Sequence, residues 1–355
     1  MNRSASFITS LLHPLVAVLI GFLAGAVAIA ASGAPVLETY GEMWKGAFGN
    51  FYFFTSTLAR ATPIILIGLG ISLAFRAGFF NLGAEGQMVL GAVAAALTAL
   101  YLPGPGIVKL LGAIIAGVIA GGLWSTLAAW LEAKFKVDLL ISTLLLNYIA
   151  TLFAGYLVTE PFKDNTGSAA MAQSMMIDKS AWLPKLFAGM TVHVGFIIAL
   201  AAVVLLYVVF RRSVFGYEVN MLGQNPFFAA YGGVNRGRVM LLSMFTSGAL
   251  TGLAGTVEVL GMQYRYIDGA LTVPGYAWTG LMAALLANSH PIGTAVAAIL
   301  LAALQTGAMG MERNTEVPLE VSGVIQAVLI LFISAKFTYT FFKRRKERKT
   351  DGAAS

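Results

Sequence analysis

Polar side chains interrupt an apolar chain between residues 75 and 87. This segment carries Arg76, Asn81, Glu85 and Gln87 together with three glycines, between two hydrophobic runs. It has two interpretations. In a surface turn, Asn81 would cap the next helix and Glu85 would lie in its first turn. In a segment that enters a membrane, the glycines would break the helix and the polar groups would line a cavity, which is the interpretation we favour.

A second polar cluster lies inside an apolar run at Ser142, Thr143 and Asn147. On a helix these three side chains fall within about 100° of one another, and leucines cover much of the remaining surface. Such groups either form hydrogen bonds to neighbouring membrane helices or line a substrate path. Both interpretations remain open from the residues alone.

The other ionisable groups do not form a catalytic or metal site. The chain has no cysteine, and His13, His193 and His290 share no ligand spacing. Glu258, near the end of an apolar run, is expected in a solvated rim or an internal ion pair rather than as a proton carrier. Hydrolase, metalloprotease and nucleotide-phosphate motifs are absent from the sequence. The chain is therefore not expected to be an enzyme, and any ATPase must be another chain.

Composition places the chain in a membrane. Hydrophobic residues make up 58% of it and charged residues 11%, with a mean hydropathy of +0.80. Backbone groups in lipid must be satisfied internally, which predicts an all-α polytopic protein. The net charge of +7 comes largely from basic residues at the ends of apolar runs and in the tail. That arrangement orients a membrane protein and predicts no nucleic-acid partner.

Ten apolar runs predict about ten transmembrane helices in a single domain, residues 1–340. The run at 276–289 is too short for an ordinary span and is expected to be tilted or broken. With ten spans the basic residues fall on one side, so both termini and the basic tail 341–355 are expected in the cytoplasm and the loop 159–190 outside. The runs are near 11–31, 51–75, 78–101, 107–131, 139–158, 191–210, 239–260, 276–289, 292–311 and 319–340.

Small residues within the runs predict sites of close helix packing. Gly117 and Gly121 form one G-x-x-x-G pair, and Gly248 and Gly252 form another, which Gly255 follows.

The loop 211–238 is the longest basic segment between two apolar runs. Arg211, Arg212, Arg236 and Arg238 flank a core with helical character near 225–233. It is either a solvated turn with basic residues at the membrane surface or a surface that binds a cytoplasmic partner. The size of the loop favours a partner.

Four segments together resemble the permease subunits of bacterial ABC importers of the branched-chain amino acid, simple sugar and nucleoside group. These are Phe80–Gln87, Leu140–Tyr148, Gly223–Val234 and Ser247–Gly255. The resemblance extends from about residue 50 to 340.

By this resemblance, residues 224–234 contain the cytoplasmic coupling helix, which inserts into a cleft of the ATPase. Pro226 would begin the helix, and two glycines would end it. The small side chains of Ala229 and Ala230 would project little from its surface. Ala229→Glu is then expected to put a bulky charge into the ATPase cleft and stop transport. The residues assigned to coupling are Gly223, Asn225, Pro226, Ala229, Ala230, Tyr231, Gly232 and Gly233.

The form of the Phe80–Gln87 segment is most similar to the nucleoside branch, and a simple sugar is the alternative substrate. Aromatic rings would face a base, and amides would form hydrogen bonds with it. The residues assigned to the translocation path are Phe79, Phe80, Asn81, Glu85, Gln87, Ser142, Thr143, Asn147 and Tyr148.

The resemblance also implies partners: a cytoplasmic ATPase that binds ATP and Mg, a second permease subunit, and an external lipoprotein or periplasmic binding protein. The chain itself is expected to bind no cofactor and no metal, and to lie among lipids of the bacterial inner membrane. An ion-coupled carrier using Glu85 or Glu258 is a further alternative. A membrane enzyme or an assembly scaffold is the last alternative function.

Overall fold

A computed structural model describes residues 19–166 and 171–315, with scattered positions between 317 and 328. The basic tail and both termini lie outside these residues, as does the last apolar run from residue 329. The predictions of ten spans and of cytoplasmic termini therefore stay predictions.

The described chain is helical, and it contains only two isolated β-bridges and no strand. This confirms the all-α prediction. The helices are α1 (Leu19–Ala31), α2 (Val36–Phe48), α3 (Phe51–Arg76), α4 (Ala84–Tyr101), α5 (Gly106–Phe135), α6 (Leu139–Thr159), α7 (Gly195–Arg212), α8 (Val214–Gln224), α9 (Pro226–Tyr231), α10 (Arg236–Glu258), α11 (Tyr276–Leu286) and α12 (Pro291–Asn314).

Seven helices in this part of the chain are long and apolar enough to cross a membrane: α3, α4, α5, α6, α7, α10 with its extension to Gln263, and α12. The count is eight if α1 and α2, which meet at a bend of 118°, form one broken span. Helix α11 has 11 residues, so the predicted short element is present. Helix α2 was not predicted from the sequence.

The chain divides into two compact units, 1–53 with 303–355 and 54–302. In the first unit, α2 packs closely on the end of α12. A methyl group added to Gly46 would lie 2.7 Å from Gly310 Cα, and Asn314 Nδ2 donates to Glu42 Oε2 at 2.7 Å.

The second unit is built around α4, α5 and α10, which cross at glycines. A Cβ on Gly121 would lie 2.4 Å from Gly248 O, and one on Gly252 would lie 2.3 Å from Gly117 O. A Cβ on Gly91 of α4 would lie 2.4 Å from Gly252 Cα. Only a residue without a side chain fits at such distances, so these glycines set the separation of the three helices.

Helices α4 and α10 also approach each other at Gly255, where an added Cβ would lie 2.1 Å from Met88 O. Beyond Glu258, α10 continues as a π-helical segment from Val259 to Gln263. Such a segment inserts extra residues into a helix and is frequent at functional sites.

Candidate functional site

Asn81 lies at the centre of a hydrogen-bond network in the interior of the second unit. Its Nδ2 donates to Gln87 Oε1 at 3.1 Å and to Ser247 Oγ at 2.9 Å. Its Oδ1 accepts from Gln87 Nε2 at 2.9 Å and from Gly83 N at 3.0 Å. Asn81, Gln87 and Ser247 are all buried. The network joins the start of α4 to the middle of α10.

This position corrects the interpretation of Asn81 as a helix cap in a surface turn. Helix α4 begins after Gly83, whose conformation caps it without a side-chain hydrogen bond. Ser247 follows Arg236, the first residue of α10, by 11 residues, which is about 16 Å along a helix axis. Asn81 therefore lies well inside the helix bundle.

Asn147 and Thr143 of α6 hold the same segment from the opposite side. Asn147 Oδ1 accepts from Gly86 N at 2.9 Å, and its Nδ2 donates to Leu82 O at 2.9 Å. Thr143 Oγ1 accepts from Leu82 N at 3.3 Å. The backbone groups freed between α3 and α4 are thus satisfied by a neighbouring helix, as an irregular segment inside a membrane requires.

Ser142 does not take part in this network, because its Oγ donates to Asp138 O of its own helix at 2.9 Å. Tyr148 is exposed, unlike the buried Asn81, Gln87 and Asn147. Phe79 and Phe80 line a separate groove of about 400 Å³ together with Glu132 and Arg236. The nine predicted path residues therefore do not form one site.

A small cleft of about 10 Å³, room for about one water molecule, lies beside the Asn81 network. Asn81, Glu85 and Asn147 line it together with Ala277 and Trp278 of α11. The indole of Trp278 is 49% exposed. Sequence reasoning missed this residue, although a tryptophan in an apolar run too short to span was a usable signal.

The loop between α8 and α10 contains a one-and-a-half-turn helix, α9. Asn225 caps it, with Oδ1 accepting from Phe227 N and Phe228 N, both at 3.1 Å. Pro226 occupies the first turn, where a missing N–H costs nothing. The helix ends at Gly232, and Gly233 follows with φ of 79°.

Large aromatic rings cover the outer face of α9. Phe227 is 82% exposed and Tyr231 is 91% exposed, with Phe228 exposed between them. Ala230 is exposed, but Ala229 is fully buried against the protein. The expectation that a charge at residue 229 would enter an ATPase cleft is therefore corrected. Ala229→Glu would disturb packing beneath α9 instead. Phe227 and Phe228 were not among the residues predicted from the sequence.

Helix α8 connects α9 to the segment that carries Asn81. Arg76 Nε donates to Asn220 Oδ1, and the Arg76 guanidinium carbon lies 4.5 Å from the ring centroid of Phe210. A Cβ on Gly223 would lie 2.0 Å from Arg76 O. The end of α8 is thus in direct backbone contact with the end of α3, five residues before Asn81.

At the other end of α10, Glu258 is buried rather than part of a solvated rim. Tyr276 Oη donates to Glu258 Oε1 at 3.2 Å, and the Arg60 guanidinium carbon lies 5.9 Å from the Tyr276 ring centroid. A carboxylate, a phenol and a guanidinium from three helices thus meet where α10 becomes π-helical and α11 begins.

The predicted external loop, 159–190, packs on this π-helical segment and on the chain that follows it. Ser174 N donates to Tyr266 O at 2.9 Å, and the rings of Trp182 and Tyr264 stack with centroids 3.8 Å apart. Lys185 Nζ donates to Gly261 O at 2.7 Å. These contacts give the described part of the loop a fixed shape.

His193 closes this loop against the same segment. Its Nδ1 accepts from Gly195 N at 3.1 Å, and its ring packs on Gly261. Burial, with a smaller contribution from the charge of Lys185, lowers the pKa of His193 to about 4. The imidazole is therefore neutral at physiological pH.

We expect the free energy of unfolding to fall as pH falls from 7 towards 4. The unfolded chain binds a proton at His193 near pH 6.5, whereas the folded chain does so only near pH 4. Between pH 7 and pH 5 this difference amounts to about 2 kcal/mol. Unfolding of the purified protein at the two pH values measures it. His193→Asn, which keeps an acceptor for Gly195 N, should show a weaker pH dependence. Equal pH dependence in both proteins would contradict this assignment.

Comparison with known proteins gives the family. Residues 53–334 match the family described as branched-chain amino acid transport system / permease component. The guanosine ABC transporter permease protein NupP of Bacillus subtilis is 34% identical over 96% of this chain and 98% of its own length.

Two further relatives cover most of the chain. The glucose ABC transporter permease protein TsgB13 of Haloferax volcanii is 35% identical, over 93% of this chain and 88% of its own length. The nucleoside ABC transporter permease protein NupB of Lactococcus lactis subsp. cremoris is 31% identical, over 92% and 91%. The polar segment, the helix α9 and the crossing of α4, α5 and α10 all lie within the matched residues 53–334. The chain is a multi-pass membrane protein that belongs to the family of branched-chain amino acid transport system permease components.

Proposed function

We propose that this chain is the membrane permease subunit of an ABC importer for nucleosides, with purine nucleosides preferred. The observation that carries the proposal is the similarity to a guanosine permease along almost the whole length of both chains. A nucleoside permease among the other relatives supports the same substrate class.

The geometry fits a transport subunit driven by another protein. Helix α9 presents exposed aromatic rings on a capped, rigid turn, which suits insertion into a cleft of a cytoplasmic ATPase. The contact of Gly223 with the Arg76 carbonyl supports a direct route from this helix to the segment that carries Asn81. Movement of the ATPase would thus reach the cleft beside Asn81 and Glu85 through α8.

The remaining assignments follow from this function. The ATPase binds ATP and Mg, and this chain binds no cofactor. A second permease, identical or homologous, completes the pore, and an external binding protein delivers the substrate to the side of the loop 159–190. The chain lies in the bacterial inner membrane as about ten spans, with both termini and the tail 341–355 in the cytoplasm. Basic side chains there attract anionic lipid headgroups.

A simple sugar is the second candidate substrate, because the glucose permease relative is 35% identical to this chain. Tryptophan and carboxylate side chains also suit a sugar ring and its hydroxyl groups.

Uptake of labelled guanosine in cells that lack and then regain this gene tests the proposal. Unlabelled nucleosides, ribose and glucose serve as competitors, and an inactive partner ATPase serves as the control. We expect competition by nucleosides alone and no uptake with the inactive ATPase. Competition by a sugar would assign the chain to sugar transport. Uptake that persists with the inactive ATPase would indicate an ion-coupled carrier.

A further inference from the structure

Helix α6 exposes one continuous stripe of its surface. Successive residues of an α-helix are rotated by about 100°, so the stripe covers about 80° of the helix. The opposite side of α6 carries Thr143 and Asn147, which are both buried. The members of this surface, which we call the α6 stripe, are Ile141, Leu145, Tyr148, Leu152 and Tyr156.

Tyr148 lies at the middle of α6, far from either surface of a membrane. The helix has 21 residues, which gives a length of about 31 Å, close to the thickness of the hydrocarbon core. Tyr148 lies about 14 Å from the first residue of the helix. Its side chain is 70% exposed, and within the described residues its hydroxyl group has no hydrogen-bond partner.

Lipid is a poor environment for this hydroxyl group. Hydrocarbon offers no hydrogen bond, so a hydroxyl group exposed to lipid at this depth would carry the full cost of desolvation. Tyrosine in membrane proteins is accordingly enriched at the two membrane–water interfaces. Other exposed tyrosines on the candidate spans follow this rule, because Tyr52 lies at the start of α3, Tyr101 ends α4 and Tyr156 lies near the end of α6.

Helices α5 and α7 have exposed surfaces of the composition that suits lipid. At the middle of the helix, α5 exposes Ile115 and Ile119, and α7 exposes Val204 and Leu205. These aliphatic side chains need no hydrogen bond in hydrocarbon. The α6 stripe differs from both surfaces by a polar group at the same depth, so it faces something other than lipid.

The interior of the chain offers no passage beside the Asn81 network. The small cleft there has room for about one water molecule, whereas pockets for small organic ligands have volumes of about 300–1,000 Å³. The amides of Asn81 and Asn147 are engaged at both of their polar atoms. An outer surface that this chain shares with a second permease subunit is the alternative route for a substrate.

Polar groups and open space lie near the two ends of the α6 stripe. At the start of α6, Phe80, Lys136 and Asp138 line the groove of about 400 Å³. Near the other end, Asp268 lies beside Gly155, where an added Cβ would be 3.3 Å from Asp268 Oδ2. The surface of α6 thus joins a polar end, an aromatic hydroxyl at mid-depth and an open groove.

We propose that the α6 stripe faces the second permease subunit across the translocation pore, and that the substrate moves along this stripe rather than through the interior of the chain. This inference rests on the proposed transport function. Tyr148 then lies in water between the two subunits, where its hydroxyl group forms hydrogen bonds and its ring packs on the passing nucleoside.

Single cysteines test this assignment, because the native chain contains no cysteine. Tyr148→Cys is treated with a methanethiosulfonate reagent that carries a quaternary ammonium group, in membranes that contain the complete transporter, its binding protein and ATP. The reagent reacts with the thiolate, which forms in water and not in lipid. We expect Tyr148→Cys to react about tenfold faster or more than a cysteine at the same depth on α7. Mass spectrometry of the purified chain measures the extent of labelling.

Val204→Cys is the matched control on α7, because Val204 is 62% exposed and lies at the middle of its helix. Ile119→Cys gives the same control on α5. Leu152→Cys, one turn beyond Tyr148 on the stripe, should react as fast as Tyr148→Cys and replaces it if that protein does not reach the membrane. Treatment should also stop most of the uptake by the stripe variants and leave uptake by the Val204→Cys protein unchanged.

Equally slow labelling of the cysteines on α6 and α7 would overturn the proposal, because the stripe would then lie against lipid or dry protein. Labelling of the stripe without any loss of uptake would also overturn it, since the substrate would then take another route. The extent of labelling does not depend on which substrate is carried. Absence of nucleoside uptake by the wild type would therefore reject the proposed substrate and leave the labelling result to decide the position of α6.

Discussion

Replacing Tyr231 by aspartate is expected to lower uptake at least tenfold while the protein remains folded in the membrane. Tyr231 is 91% exposed on α9, so its ring contributes little to the stability of the free chain. Exposed aromatic rings on a rigid element are typical of the residues that carry most of the energy of a protein interface. A charge at this position would have to be desolvated inside the ATPase cleft, which opposes binding.

Uptake, ATPase co-purification and gel filtration in detergent measure this effect. Phe227→Asp is expected to behave in the same way, because Phe227 is also mostly exposed. Tyr231→Phe keeps the ring and should retain most of the activity. Normal uptake and normal co-purification of the Tyr231→Asp protein would show that α9 is not the coupling helix.

Ala229→Glu gives a contrasting prediction, because Ala229 lies on the buried face of α9. This variant is expected to lose transport through disturbed packing, with lower yield in the membrane. A defect in both yield and uptake therefore separates residue 229 from Tyr231, where uptake alone should fall.

Replacing Gly252 by alanine is expected to cause a large loss of stability for a single added methyl group. The new Cβ would lie 2.3 Å from Gly117 O and 3.0 Å from Gly121 Cα, which are backbone atoms that no side-chain rotation can move. Helices α5 and α10 would have to separate, and overpacking of this kind costs about 1–3 kcal/mol or more. The apparent unfolding temperature should fall by about 5 °C.

Gly237→Ala is the matched control on the same helix. Its Cβ would have Asn235 Oδ1 as its nearest contact, at an ordinary 3.5 Å. Alanine should therefore be neutral or slightly stabilising there, because it restricts the unfolded chain more than glycine does. Equal unfolding temperatures for the Gly252→Ala and Gly237→Ala proteins would contradict close packing at the α5 and α10 crossing.

Much of the architecture follows from local features of the sequence. Long apolar runs predict helices in a membrane because the backbone there must satisfy its own hydrogen bonds. The short run at 276–289 corresponds to α11, and the Asn225-Pro226 pair followed by Gly232 and Gly233 marks the limits of α9. Capping, proline and glycine act within a few residues, so these boundaries can be read without the rest of the chain.

The site depends on contacts between distant residues, which local patterns do not encode. Asn81 bonds Ser247 across 166 positions, and Asn147 bonds Leu82 O across 65. The burial of Ala229 next to the exposed Ala230 likewise depends on tertiary packing, because the two alanines of α9 are equivalent in sequence. The sequence by itself determined the membrane class, most of the helices and the limits of α9. Tertiary packing alone decided which polar groups bond to one another, because those bonds join residues far apart in the sequence.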